Sequence, residues 1–302
     1  MKNLLLALIG FFTLSNPDCY SLNRQDSDLN FSLSTNYEHG FDTGIDSGGE
    51  FSISRYSVNA SLRSNLSQTL GLDANGEYSL LDFNFSTPNG FAGLNPWDSI
   101  NTASLGFRLT YDINPKFAIT AGPQITHSGE QGADFSESLT YSGLAGFTYS
   151  PSRSLLLGTG VYITSRIEDD LIAYPGFIMN WFVNNKLMIS TLITGIKSDP
   201  GPKIRASYNL TNNIDAAINM GYQTNRFRLD STGIAPNGVG DVKVLPVWAS
   251  LGFNLSKNLL LEIYSGLGLW GKLELEDENG DRIDKKHFDT ILFIGCGLRL
   301  NI

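Results

Sequence analysis

The chain has 302 residues, a formal net charge of −9 and two cysteines. That charge argues against a nucleic-acid partner, and the cysteine count leaves no disulfide framework. No stretch beyond the N-terminus approaches 18 consecutive apolar residues, which excludes helical membrane spans.

Residues 1–21 are expected to be a secretory signal peptide. Lys2 supplies a positive start, Leu4–Phe12 a short apolar core, and Thr13–Ser21 a polar tail with small residues for cleavage. Cys19 follows Asn16, Pro17 and Asp18 rather than the residues of a lipobox, so lipidation is not expected. Residues 22–302 show no linker, charge block or shift in composition and read as a single domain.

Period-2 alternation then recurs down the chain. Leu29–Tyr37 alternates, and Glu38–Glu50, with Gly40, Gly44, Gly48 and Gly49, reads as an acidic loop. Phe51–Ser64 and Thr69–Phe83 flank the turn Asn65–Gln68, and a Gly/Pro/Asn loop follows over Ser86–Ser99. Ile100–Asp112 turns at Ile113–Pro115 into Lys116–Thr126, followed by the loop His127–Ser136. Glu137–Tyr149 and Ser154–Arg166 flank Ser150–Arg153, and Ile167–Asp170 is a short loop. Leu171–Phe182 and Leu187–Lys197 flank Val183–Lys186, and the loop Ser198–Gly201 leads into Pro202–Leu210. Thr211–Asn213 turns into Ile214–Arg228, and Asp230–Gly240 is a loop.

The clearest pattern is the hairpin Asp241–Gly271 around Ser256–Asn258. Leu245, Val247, Ala249, Leu251 and Phe253 share one face of its first strand, while Ser250, Gly252 and Asn254 share the other. Leu273–Asp284 reads as the last loop and Lys286–Ile302 as the last strand.

The pattern predicts an all-β fold, a transmembrane antiparallel up-and-down β-barrel of about 14 strands with 12 as the alternative count. The connections alternate in length, as in bacterial barrels with short periplasmic turns and longer extracellular loops. A soluble sandwich or propeller also alternates, but it does not sort its connections this way behind an export signal. Tyr111, Phe117, Tyr149, Trp181, Phe182 and Phe253 are expected in an inner aromatic girdle; Tyr56, Tyr174, Tyr222, Phe227, Trp270 and Phe288 in an outer one. Cys296 is expected on the lipid face as a small apolar residue.

Residues 29–302 resemble an uncharacterised family of bacterial outer-membrane β-barrels. The resemblance lies in Ser54-Arg55-Tyr56-Ser57, in Ala173-Tyr174-Pro175-Gly176 leading to Asn180-Trp181, and in the final strand Gly295–Ile302. It implies fold and outer-membrane location, and no activity. Ile302 departs from the aromatic residue that usually ends such chains. The strand count is also similar to that of the fatty-acid and aromatic-hydrocarbon uptake barrels, but no long N-terminal plug segment like theirs is present.

The candidate chemistry is sparse. His39, His127 and His287 fall at outer strand ends or loops; His127 and Ser128, adjacent on an extended chain, point to opposite sides and are poorly placed to pair. Asp277-Glu278-Asn279-Gly280-Asp281 resembles a calcium loop, but Arg282 stands where the glycine belongs and Phe288 where the bidentate Glu belongs, so Asn279–Gly280 reads as a turn. No catalytic residue, metal site or cofactor is expected.

The lumen carries more information. Alternation turns Arg55, Arg63, Arg108, Arg166, Lys203, Arg205 and Arg299 inward, with Asp73, Glu77, Asp112, Asp215, Glu262 and Asp289. Arg55, Arg166, Lys203 and Arg205 are expected near the outer mouth; Asp73, Asp112, Asp215, Arg63 and Arg299 near the inner one. A charge facing lipid at the midplane costs about 2–4 kcal/mol, so these groups belong inside, as a selectivity lining or as compensating braces. The expected function is a small passive channel or uptake barrel of the outer membrane. A structural or surface-interaction barrel with a closed lumen is the alternative, and an outer-membrane hydrolase the remote one. Expected partners are outer-membrane lipid and lipopolysaccharide, the barrel assembly machinery and a small solute.

Overall fold

The computed structural model describes residues 29–46, 48–86, 91, 95–193 and 202–302. The predicted signal peptide and the predicted loop at 198–201 lie outside them.

The strands are β1 (Asn30–Gly44), β2 (Glu50–Asn65), β3 (Leu70–Phe85), β4 (Ser99–Asn114), β5 (Phe117–Glu130), β6 (Leu139–Ser152), β7 (Leu155–Arg166) and β8 (Asp169–Phe182). They continue as β9 (Leu187–Ile193), β10 (Pro202–Asn209), β11 (Ile214–Gly221), β12 (Gln223–Arg228), β13 (Val239–Asn254), β14 (Leu259–Glu276), β15 (Arg282–Phe288) and β16 (Ile291–Asn301). Fourteen of them form the wall. β1 to β11 pair in sequence, β11 pairs with β13, β13 with β14, β14 with β16, and β16 with β1 from Ser32↔Asn301 to Gly40↔Phe293. The β16–β1 pairing closes the ring, as hydrocarbon requires of a spanning sheet.

The alternation follows the predicted faces. Leu251, Ile263 and Leu298 are exposed outward, while Gly252 is buried against Asp215 in the lumen. Cys296 is exposed on the outer face. At the tight-turn end, Asn114 accepts the backbone N–H groups of Lys116 and Phe117, and Asn184 those of Lys186 and Leu187. Short side chains that bond their own backbone two or three residues on fix such turns. Phe117 and Tyr149 stack at 4.5 Å on the outer face of the same end.

At the loop end the structure departs from the sequence reading. β1 runs through Glu38–Gly44, which pairs with β2 and is not a loop. The predicted strand Ile214–Arg228 breaks at Tyr222, whose N–H donates to the Pro202 carbonyl of β10, and from Gln223 the chain pairs with the loop-end part of β13. The predicted loop Leu273–Asp284 is largely strand, with only a short turn at its tip. There Asp277 accepts the N–H groups of Asn279 and Asp281, and Gly280 supplies φ +84°.

Two strands therefore stand outside the wall. β12 pairs with the far end of β13, and β15 with the far end of β14. The bend that carries this four-stranded sheet away from the wall is a β-bulge. Trp270 and Gly271 stand opposite Val244 alone, between the pairs Lys243↔Lys272 and Leu245↔Leu269. A bulge kinks its strand and increases its twist. Trp270, expected in the girdle, takes φ +54° in that bulge.

Candidate functional site: an occluded lumen

The appended sheet lies across the loop-end mouth. Arg228 at the end of β12 pairs with Gly129 of β5, which stands opposite β13 in the ring, with β6–β11 between them. The other end of the sheet is tied beside β1, through the bridge Ile45↔Phe288 and the N–H of Asp289 on the Gly44 carbonyl. The sheet is thus a lid anchored on both sides.

Beneath it lies an apolar plug. Phe51, Leu81, Phe83 and Ile100 come from the wall, Phe91 and Trp97 from the connection between β3 and β4, and Phe227, Leu229, Val242, Leu273, Leu275 and Phe288 from the lid. Trp97 meets Phe227 edge-on at 5.2 Å, and Phe51 meets Phe288 edge-on at 5.0 Å. Phe227 and Phe288, expected in a girdle, are core residues. Full burial of such side chains contributes roughly 1.5–3 kcal/mol each. The plug and the buried charges around it together hold the lid down.

Those charges centre on Asp241, which is 1% exposed. It meets Arg166 of the wall at 3.1 Å, Lys243 at 2.9 Å and Arg226 at 3.6 Å, and accepts a hydrogen bond from Thr224 Oγ1. Arg226 also bonds Glu276 and the Ile167 carbonyl, and Arg228 bonds Glu168 and the Asn237 carbonyl. Arg166 further pairs with Asp169. On β5, Glu130 accepts the N–H groups of Asp98 and Asp230. In the outer part of the lid, Lys243 and Lys272 hold Glu274 at 2.7 and 2.6 Å. Burial alone would raise the Glu274 carboxyl, but these two ammonium groups outweigh it and bring it down to about 2.

A polar slot of about 80 Å³ remains between β12 and the wall β5–β8. Its wall is Gln124, Thr126, Ser128, Thr140, Ser142, Tyr162, Thr164, Ser165, Arg166 and Tyr174; Ile167, Thr224, Asn225 and Arg226 complete it. Tyr174, expected on the outer girdle, is cross-strand from Tyr162 and lines the lumen, since strand alternation puts both on one face. At the tight-turn end a second cavity of about 400 Å³ is bounded by Asn185, Lys186, Ser207, Asn209, Asn212, Asn254 and Leu260. Arg205 and Asp215 reach into it.

The inward-facing charges separate into groups. Arg63, Asp73 and Arg108 form a cross-strand row near the turns, at 2.6 and 3.2 Å. Arg205 bonds Asp215 at 3.4 Å, Glu262 at 3.5 Å and Asn219 at 3.2 Å. It was expected at the outer mouth, but its long side chain reaches towards the turn end. Arg299, register-paired with Leu260, lies near that end too. Arg55 and Glu77 are buried in the wall's lumen face, as are Asp112 and Lys203. Asp289 is exposed in the rim joint between β15 and β16, where the alternation is interrupted, so it does not line the lumen. Trp248, Tyr264 and Phe293 form a separate buried cluster on the inner face.

One pair escaped the sequence reading. The β1–β2 register sets His39 against Ser54, with Nδ1 and Oγ 3.0 Å apart. Asp82 stands opposite Ser54 on the β3 side, away from His39, and accepts from Ser99. His127 stacks on Phe135 while Ser128 bonds Thr102, so those two neighbours point apart.

No protein-family model and no curated protein sequence matches the chain. Among solved structures it is similar to a FadL homologue of Pseudomonas aeruginosa, with 11% identity, 90% of each chain covered and a TM-score of 0.54. It is also similar to the toluene transporter TodX of Pseudomonas putida, with 9% identity, 95% and 93% covered and a TM-score of 0.45. The first likeness shows the fold, an outer-membrane-type β-barrel.

Proposed function

We propose that the protein is a gated uptake barrel of the outer membrane, closed at its extracellular mouth until the lid is displaced. The observation that carries this reading is that the mouth is covered by a sheet bent out of the wall at the Val244/Trp270 bulge and edged by β12 and β15, which lie outside the ring. A wall closed by its own packing has nothing to displace; a sheet laid across a polar lumen does. Export through residues 1–21, insertion by the assembly machinery and a lipid and lipopolysaccharide surround belong to the same reading. The buried Trp248–Tyr264–Phe293 cluster favours the second reading, a structural barrel with a closed lumen.

Conductance in planar bilayers separates the two. The wild-type protein should be nearly silent, and Phe227→Ala/Leu273→Ala, which empties part of the plug, should open discrete conducting steps. Silence in both, with folding verified by heat-modifiable migration on gels, supports the structural barrel.

A further inference from the structure

We infer that the slot beneath β12 is a binding site for a small neutral polyhydroxylated solute, of monosaccharide size or below. The inference names a substrate class for the proposed uptake path and rests on that reading only for its use in transport.

The chemistry of the slot selects this class. Ile167 is its only aliphatic lining residue, which disfavours an apolar ligand. Among the described residues its lining has no carboxylate and has two guanidinium groups, which disfavours a cation. The guanidinium groups of Arg166 and Arg226 are already engaged by Asp241 on the lid, which lowers their call on a free anion. What remains is a pavement of hydroxyls. Thr126 and Thr140 face each other across one register, and Ser142 and Thr164 across the next. The Thr140 and Thr164 hydroxyls donate to the carbonyls of Thr126 and Ser165 and so meet a polyol as acceptors, while Thr126 Oγ1, which accepts from Gln124, can still donate. Tyr162 and Tyr174 add two near-parallel rings, 25° apart with centroids at 6.5 Å, whose apolar faces suit the C–H face of a sugar ring. Size sets the upper bound. One water needs roughly 10–15 Å³ of such space, so about 80 Å³ admits several water-sized groups but no oligosaccharide.

The test is saturation-transfer NMR on the full folded protein in detergent, which needs no flux. The probes are D-glucose, xylitol, D-glucuronate and toluene. Glucose or xylitol should receive saturation, and Thr126→Val/Thr164→Val should weaken that binding by about tenfold, as loss of two hydrogen bonds implies. Ser128→Ala/Ser142→Ala serves the same purpose should the first pair not fold. The inference is overturned if neither polyol binds, if binding survives both double variants unchanged, if glucuronate binds tenfold more tightly than glucose, or if only toluene binds. A bound polyol with silent bilayers would leave the site standing and remove the uptake reading alone.

Discussion

Arg166 on the wall reaches Asp241 on the lid at 3.1 Å, and that contact joins β7 to a strand five places away around the barrel. Asp241 also carries Lys243 and Arg226, so one buried carboxylate serves three cations. Asp241→Ala leaves those cations without it. Removing one partner of a buried ion pair typically costs about 3–5 kcal/mol. Hydrogen exchange at residues 223–245 should accelerate strongly in Asp241→Ala, while amides of the β6–β7 wall remain protected. Unchanged protection of the lid would show that Asp241 does not hold it.

Acid should loosen the lid over a defined window. The Glu274 carboxyl titrates near 2 in the folded protein, below the ordinary carboxylate value, because Lys243 and Lys272 outweigh its burial. A depressed carboxyl contributes stability that is full above its unfolded value, near 4.5, and is lost as pH falls towards about 2. Lys285, 3.9 Å away, adds a third cation to the same carboxylate. Protease nicking of the lid should therefore rise below pH 4.5, and Glu274→Gln should flatten that rise while raising nicking at neutral pH. An identical pH profile in the variant would show that Glu274 does not brace the lid sheet.

The wall was legible because its signal is local: alternation and connection length are both properties of a single strand and its turn. The lid was not, because period 2 says that a segment is a strand and not which sheet receives it. Leu273 and Leu275 alternate with Glu274 and Glu276 as cleanly as any wall strand, although Leu273–Asp284 reads as a loop in the sequence. Phe227 and Phe288 sit near strand ends, where a plug and a girdle look the same in sequence. The depth of Arg205 was misjudged because position along a strand locates Cα, whereas a long cationic side chain carries its head group elsewhere. The His39–Ser54 contact depends on the pairing register of β1 and β2, which becomes readable only once β1 is seen to continue past Glu38.

The two faces of β13 should respond differently to added charge. Leu251 is exposed outward opposite Ile263, and an arginine on the lipid face costs up to about 2–4 kcal/mol at the midplane. Leu251→Arg and Ile263→Arg should both lower membrane yield and the fraction of heat-modifiable protein. Gly252 faces Asp215, and a Cβ there presses on that carboxylate side chain, which can swing away. Gly252→Ala should therefore assemble with near wild-type yield. Equal losses at all three positions would overturn the register.

Arg205 should be the main determinant of ion preference once the lid is open. Its guanidinium lies between Asp215 and Glu262 at the tight-turn end, the end that faces the periplasm in bacterial barrels. Replacing it by glutamate gathers three carboxylates in one place, within the roughly 8 Å over which salt leaves charges coupled. The substitution belongs in a Phe227→Ala/Leu273→Ala background, so that ions can reach the site. Under a salt gradient the reversal potential should then move towards cation selectivity, and Arg205→Gln should give a smaller shift in the same direction. A reversal potential identical to that of the Phe227→Ala/Leu273→Ala background in both cases would mean that current bypasses Arg205. The constriction would then lie higher, among Arg166, Arg226 and Asp241.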